Sequence, residues 1–75
     1  AGTERGMTYA PGPADAVRLA RIASDAPHPK HTAVREVDAW FADLYGWPLN
    51  SRERDQRDAF LHLVLMNIDL TAAMS

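Results

Sequence analysis

The sequence predicts an all-α fold, a small three-helix bundle that dimerises through its C-terminal helix. Three stretches carry apolar residues at helical spacing, and proline and glycine separate them. The chain has only 75 residues and no cysteine, so neither a disulfide nor a thiolate zinc site supports its thin core. The third stretch is apolar on more than one face, which is typical of a helix buried on all sides.

A flexible leader over residues 1–12 is expected ahead of a single helical domain over residues 13–75. The leader holds three of the four glycines of the chain. Because the chain does not begin with Met, two interpretations of its start stay open. Either Ala1 to Gly6 are foreign residues before a native Met7, or the chain is a piece of a longer protein.

The first helix is predicted near residues 14–26. Pro13 suits the first helical position, where its missing N–H would have no partner, and Pro27 ends the helix. The apolar stripe of this helix is narrow and rich in alanine. Such a stripe lets a neighbouring helix approach closely but buries little apolar surface. Its members are Ala16, Leu19, Ala20, Ile22, Ala23 and Ala26.

The second helix is predicted over residues 29–45. Gly46 is expected to take the left-handed conformation after the helix cap, Trp47 is expected to fold back onto the last turn, and Pro48 prevents continuation. Trp40 is interpreted as a packing residue rather than part of a ligand cage. The predicted apolar stripe comprises Val34, Val37, Trp40, Phe41, Leu44 and Tyr45.

The third helix is predicted over residues 51–73, with Asn50 and Glu53 forming a capping box. Its first turns are highly charged but electrically neutral. Glu53 with Arg57, and Arg54 with Asp58, are spaced to pair across one turn.

The second half of this helix is predicted to be the seam with a partner. One apolar stripe contains Phe60, Leu63, Val64 and Leu70, and a second, nearly opposite, contains Leu61, Leu65 and Ile68. Two short helices can cover only one face, so the other is expected to meet a second copy or another helical protein. Aspartate at Leu61 or Leu65 should then break the assembly. The predicted interface residues are Phe60, Leu61, Val64, Leu65, Ile68 and Leu70.

No catalytic, cofactor-binding or metal-ligating site is predicted. His28 and His31 are interpreted as exposed connector residues and His62 as a core or interface residue, because a zinc site needs three or four ligands. Asn67 is expected either to set the register of a helical interface or to bond a loop carbonyl. No nucleophile–base pair or glycine-rich phosphate loop is recognisable, so an enzyme is not expected.

These features predict a non-catalytic helical protein–protein interaction or oligomerisation module. The alternative is a small dimeric regulator resembling a helix-turn-helix over residues 38–57 that contacts DNA through Arg52, Arg54 and Arg57. The net charge of −2 lowers the expectation of nucleic-acid binding. A bacterial or phage origin, a cytoplasmic location and no membrane association are further expectations, since Ala and Arg are frequent and the apolar runs are short.

Overall fold

Three helices account for 83% of residues 11–74, the part of the chain that the computed structural model describes. They are α1 (Pro13–Ser24), α2 (Pro29–Tyr45) and α3 (Ser51–Met74). No strand occurs in this range, so the predicted all-α bundle is confirmed. The predicted leader lies outside the described residues except for Pro11 and Gly12.

Helix α1 begins at Pro13 as predicted but ends two residues early. The Gly12 N–H donates to Oδ2 of Asp15 at 2.8 Å, which closes the first turn. At the other end Asp25 donates to the Ile22 carbonyl, and Ala26 to that of Ala23. These tighter bonds terminate the helix before Pro27, because the residue that precedes a proline disfavours the α conformation.

Helix α2 has the predicted bounds, and Gly46 ends it. Gly46 has φ 84° and ψ 169°, so φ is positive but ψ lies outside the predicted left-handed helical conformation. This region is essentially restricted to glycine, and the Gly46 N–H donates to the Ala42 carbonyl at 2.8 Å. The prediction that Trp47 folds back onto the last turn is wrong, since Trp47 is 68% exposed. Leu49, which is 3% exposed, is the residue after this turn that enters the core.

The predicted capping box at the start of α3 is confirmed. The Glu53 N–H donates to Oδ1 of Asn50 at 2.8 Å, and the Asn50 N–H donates to Oε1 of Glu53 at 2.9 Å. Because its carboxylate serves the cap, Glu53 does not take up the predicted pair with Arg57. Arg57 binds Asp38 of α2 and the adjacent Asp58 instead.

Each helix contributes buried residues to a common core, at steps of four in α2 and α3 and at mixed steps of three, one and three in α1. Alanines make up most of the α1 contribution, so α1 lies close against α3, with which it has its most extensive contact. Two predicted stripe members lie outside: Ile22 is 61% exposed, and Ala33 takes the place predicted for Val34. The buried residues are Ala16, Leu19, Ala20, Ala23, Ala33, Val37, Phe41, Leu49, Phe60, Val64 and Ile68.

Aromatic rings join α2 to α3. The Phe60 ring meets Trp40 edge to face at 5.6 Å and lies 6.0 Å from the Phe41 ring. Polar contacts between Tyr45 and Gln56, Asp38 and Arg57, and Lys30 and Asp69 extend along both helices. From Lys30 to Tyr45 the α2 residues of these contacts rise in number, while their α3 partners fall from Asp69 to Gln56. The two helices therefore run antiparallel.

Gly46→Ala should lower the free energy of unfolding by about 1–3 kcal/mol, because the side chain strains a backbone with φ 84°. Nothing lies within 4 Å of an added Cβ, so the loss would report backbone conformation rather than a clash. Urea denaturation followed by far-UV circular dichroism measures it. Gly12→Ala, at φ −106°, is the control for the added methyl group. It should cost less, up to about 1 kcal/mol, because glycine caps a helix better than alanine does.

Candidate interaction surface

Helix α3 is apolar on two opposite faces, and the fold buries one of them. Phe60, Val64 and Ile68 are at most 5% exposed. Leu61 and Leu65 are partly buried and pack against the same core. These five residues form the inner face of α3, which α1 and α2 cover.

The opposite side carries an exposed row of apolar side chains, the outer seam of α3. Leu63 is 39% exposed, Met66 48% and Leu70 57%. The exposed alanines Ala59 and Ala73 extend the row at both ends. At about 100° per residue, the outer seam is centred roughly 160° from the inner face, so it points away from α1 and α2.

The spacing of the outer seam is that of a coiled-coil contact. Its residues alternate in steps of four and three, as do the a and d positions of a heptad. In heptad terms Leu63 and Leu70 are a positions, and Ala59, Met66 and Ala73 are d positions. Helix α3 therefore offers a second helix a continuous row of side chains at the spacing needed for packing.

The structure divides the six residues predicted for the interface. Phe60, Leu61, Val64, Leu65 and Ile68 lie on the inner face and belong to the core of this chain, whereas Leu70 lies on the outer seam. The first predicted stripe was wrong because it combined side chains from both faces. Leu63 and Met66 were missed as candidate contacts, although the four–three spacing from Ala59 to Ala73 was readable in the sequence.

Leu65→Asp should therefore destabilise the fold rather than only dissociate an assembly. The substitution would place a carboxylate against the core, and we expect a loss of about 2–3 kcal/mol. Thermal unfolding at a concentration where the chain is monomeric measures this loss. Full native stability of the variant would contradict the assignment of Leu65 to the inner face.

Polar side chains border the outer seam on both edges. His62 and Asp69 occupy one edge, two helical turns apart, and both are exposed. Oδ1 of Asp69 lies 3.1 Å from Nζ of Lys30, in a pair that is well exposed to solvent. On the other edge Asn67 donates from Nδ2 to the Leu63 carbonyl of its own helix at 2.8 Å. This intrahelical bond is not the predicted bond to a loop carbonyl, whereas a role of Asn67 in setting the register of a helical interface stays a prediction.

The three arginines of the DNA-binding alternative do not form one free cluster. The Arg57 side chain is 20% exposed and binds Asp38 and Asp58, and Arg54 donates to the Leu49 carbonyl at 3.1 Å. Arg52 is exposed. The antiparallel course of α2 and α3 also differs from the crossing of roughly 90–120° in a helix-turn-helix. DNA contact stays a prediction that this arrangement does not favour.

An open cleft of about 410 Å³ lies between the N-terminal end of α2 and the C-terminal part of α3. The His28 and His31 rings line it, with their centroids 6.0 Å apart. Within residues 11–74 no group of three or more His, Cys, Asp or Glu side chains could hold a metal ion. A structural zinc site takes four protein ligands, so two imidazoles alone do not assemble one.

Comparison of the chain with protein-family models, curated proteins and solved structures gave no match. Among the described helices, none has the length and apolar character to cross a membrane. The geometry of the chain is therefore the basis for any functional assignment.

Proposed function

We propose that this chain is a non-catalytic helical interaction module that binds a partner helix through the outer seam of α3. The observation that carries the proposal is the exposure, opposite the core, of an apolar row with heptad spacing. Alkyl and thioether groups form this row. Such groups contribute to binding because their burial removes apolar surface from water. They transfer no protons, which suits a non-catalytic role.

The geometry of α3 suits side-by-side helix packing. A helix of 24 residues is about 36 Å long, close to the 38 Å longest dimension of the molecule. The outer seam follows the C-terminal two thirds of that length, so a partner helix can lie along it without meeting α1 or α2. Continuous apolar patches of this kind mark interaction sites on small proteins.

Leu70→Asp should weaken the assembly while the fold stays intact. Leu70 is 57% exposed, so a carboxylate there remains solvated in the monomer but is buried unpaired at a packed seam. We expect at least a tenfold weaker association at unchanged helicity. Ile22→Asp on α1 is the matched control, because Ile22 is 61% exposed and lies off the seam.

Two measurements cover both kinds of partner. Sedimentation velocity up to high micromolar concentration reports self-association. Comparative capture from the source organism, with the unaltered chain and the two variants as baits, reports a different partner. A chain that neither self-associates nor captures a protein sensitive to Leu70→Asp and insensitive to Ile22→Asp would contradict the proposal.

The DNA-binding alternative predicts a salt-dependent shift with random duplex DNA, since non-specific affinity is electrostatic and strongest at low salt. We expect no shift, because intramolecular contacts occupy Arg54 and Arg57. A shift that Arg52→Gln weakens would favour the alternative, and fluorescence anisotropy at several salt concentrations decides the matter.

A further inference from the structure

We propose that the partner of the outer seam is a second copy of this chain, with the two α3 helices antiparallel about a two-fold axis. The inference rests on the proposed function and adds the identity and direction of the partner. The charges that border the seam and the sizes of its side chains support it.

The seam residues are complementary in size when two copies run antiparallel. In such pairs a positions face d positions of the opposite helix. One register sets Leu63 against the partner's Met66 and Leu70 against the partner's Ala59, and the two-fold repeats both contacts. Each large side chain then meets a flexible or a small one, which is the alternation that fills a helix interface.

The polar edge of the seam is complementary to itself in the same register. His62 of one copy faces the partner's Asp69, and the symmetry produces this contact twice. Lys30 lies 3.1 Å from Oδ1 of Asp69, and because a carboxylate accepts several hydrogen bonds, Asp69 can also accept an imidazole N–H. A parallel pair would set His62 against Asn67 and Asp69 against Met74, and neither contact joins a carboxylate to a donor on an imidazole.

The charged turns of α3 also disfavour the parallel arrangement. Continued toward the N-terminus, the heptad places Gln56 at an a position and Arg52 at a d position. A parallel in-register pair would bring Arg52 against its own copy, which is repulsive. The antiparallel register separates these two arginines.

The size of the contact sets its expected strength. The facing residues from Ala59 to Leu70 span about 16 Å of helix. A contact of this length is smaller than a standard protein interface, which buries about 800 Å² per partner. That area would be roughly a sixth of the 5124 Å² surface of the molecule. We therefore expect a reversible dimer with a dissociation constant in the micromolar range.

Disulfide trapping tests the direction, and the chain suits it because it contains no cysteine. In the antiparallel dimer two copies of Ala59→Cys lie about 16 Å apart, beyond the 7 Å Cα separation that a disulfide tolerates. We expect no self-linked dimer from this variant. Mixed with Leu70→Cys, it should yield a cross-linked dimer that contains one copy of each.

Substitutions that place like charges opposite each other test the polar edge. His62→Asp places a carboxylate opposite the partner's Asp69, and the two-fold symmetry produces this repulsive contact twice. The dissociation constant of the dimer should therefore rise about 5- to 30-fold. Adding Asp69→Lys should recover much of the loss. Ala39→Asp, on an exposed part of α2, is the control and should have no effect.

Self-linking of Ala59→Cys, failure of the mixed pair to link, or indifference to His62→Asp would overturn the antiparallel dimer. A chain that stays monomeric at high micromolar concentration would overturn it as well. In that case, capture of a protein that Leu70→Asp abolishes would leave the interaction module standing with a different partner. If the chain neither self-associates nor captures such a protein, the proposed interaction module is contradicted as well.

Discussion

The contact of Phe60 with the aromatic rings of α2 sets how α3 is turned about its own axis. Phe60 is 4% exposed and lies between Trp40 and Phe41. Once this ring is inside, the 3.6-residue period brings Val64 and Ile68 inside and turns Leu63, Met66 and Leu70 outward. Aromatic pairs of this kind contribute beyond the area they bury, so the orientation is well specified.

The small side chains of α1 make this arrangement stable in so short a chain. Ala16, Ala20 and Ala23 are at most 1% exposed, and they let α1 approach α3 closely. A close helix gains dispersion contacts but removes only a narrow strip of α3 from water. Because α1 covers only this narrow strip, the far side of α3 stays exposed. The alanine-rich composition of α1 is thus connected to the exposure of the outer seam.

Local signals in the sequence predicted the elements well, because local interactions determine helix ends. The Asn50–Glu53 capping box and the positive φ of Gly46 each depend on a few neighbouring residues, and the structure has both. The predicted position of Trp47 was wrong: Leu49 is buried and Trp47 is exposed, and local signals do not tell which apolar residue of a turn enters the core. The end of α1 shifted for a similarly local reason, the restriction that Pro27 imposes.

The amino-acid sequence by itself determined the three helices of residues 11–74 and their ends to within about two residues. It also determined that α3 has more apolar surface than two short helices can cover. Only the tertiary structure decided which of its apolar residues are inside. Leu61 and Leu63 are the same residue type with the same helix propensity, yet Leu61 contacts the core and Leu63 is exposed. The reason is that a helix with apolar residues all round has no preferred inner side until Phe60 meets the rings of α2.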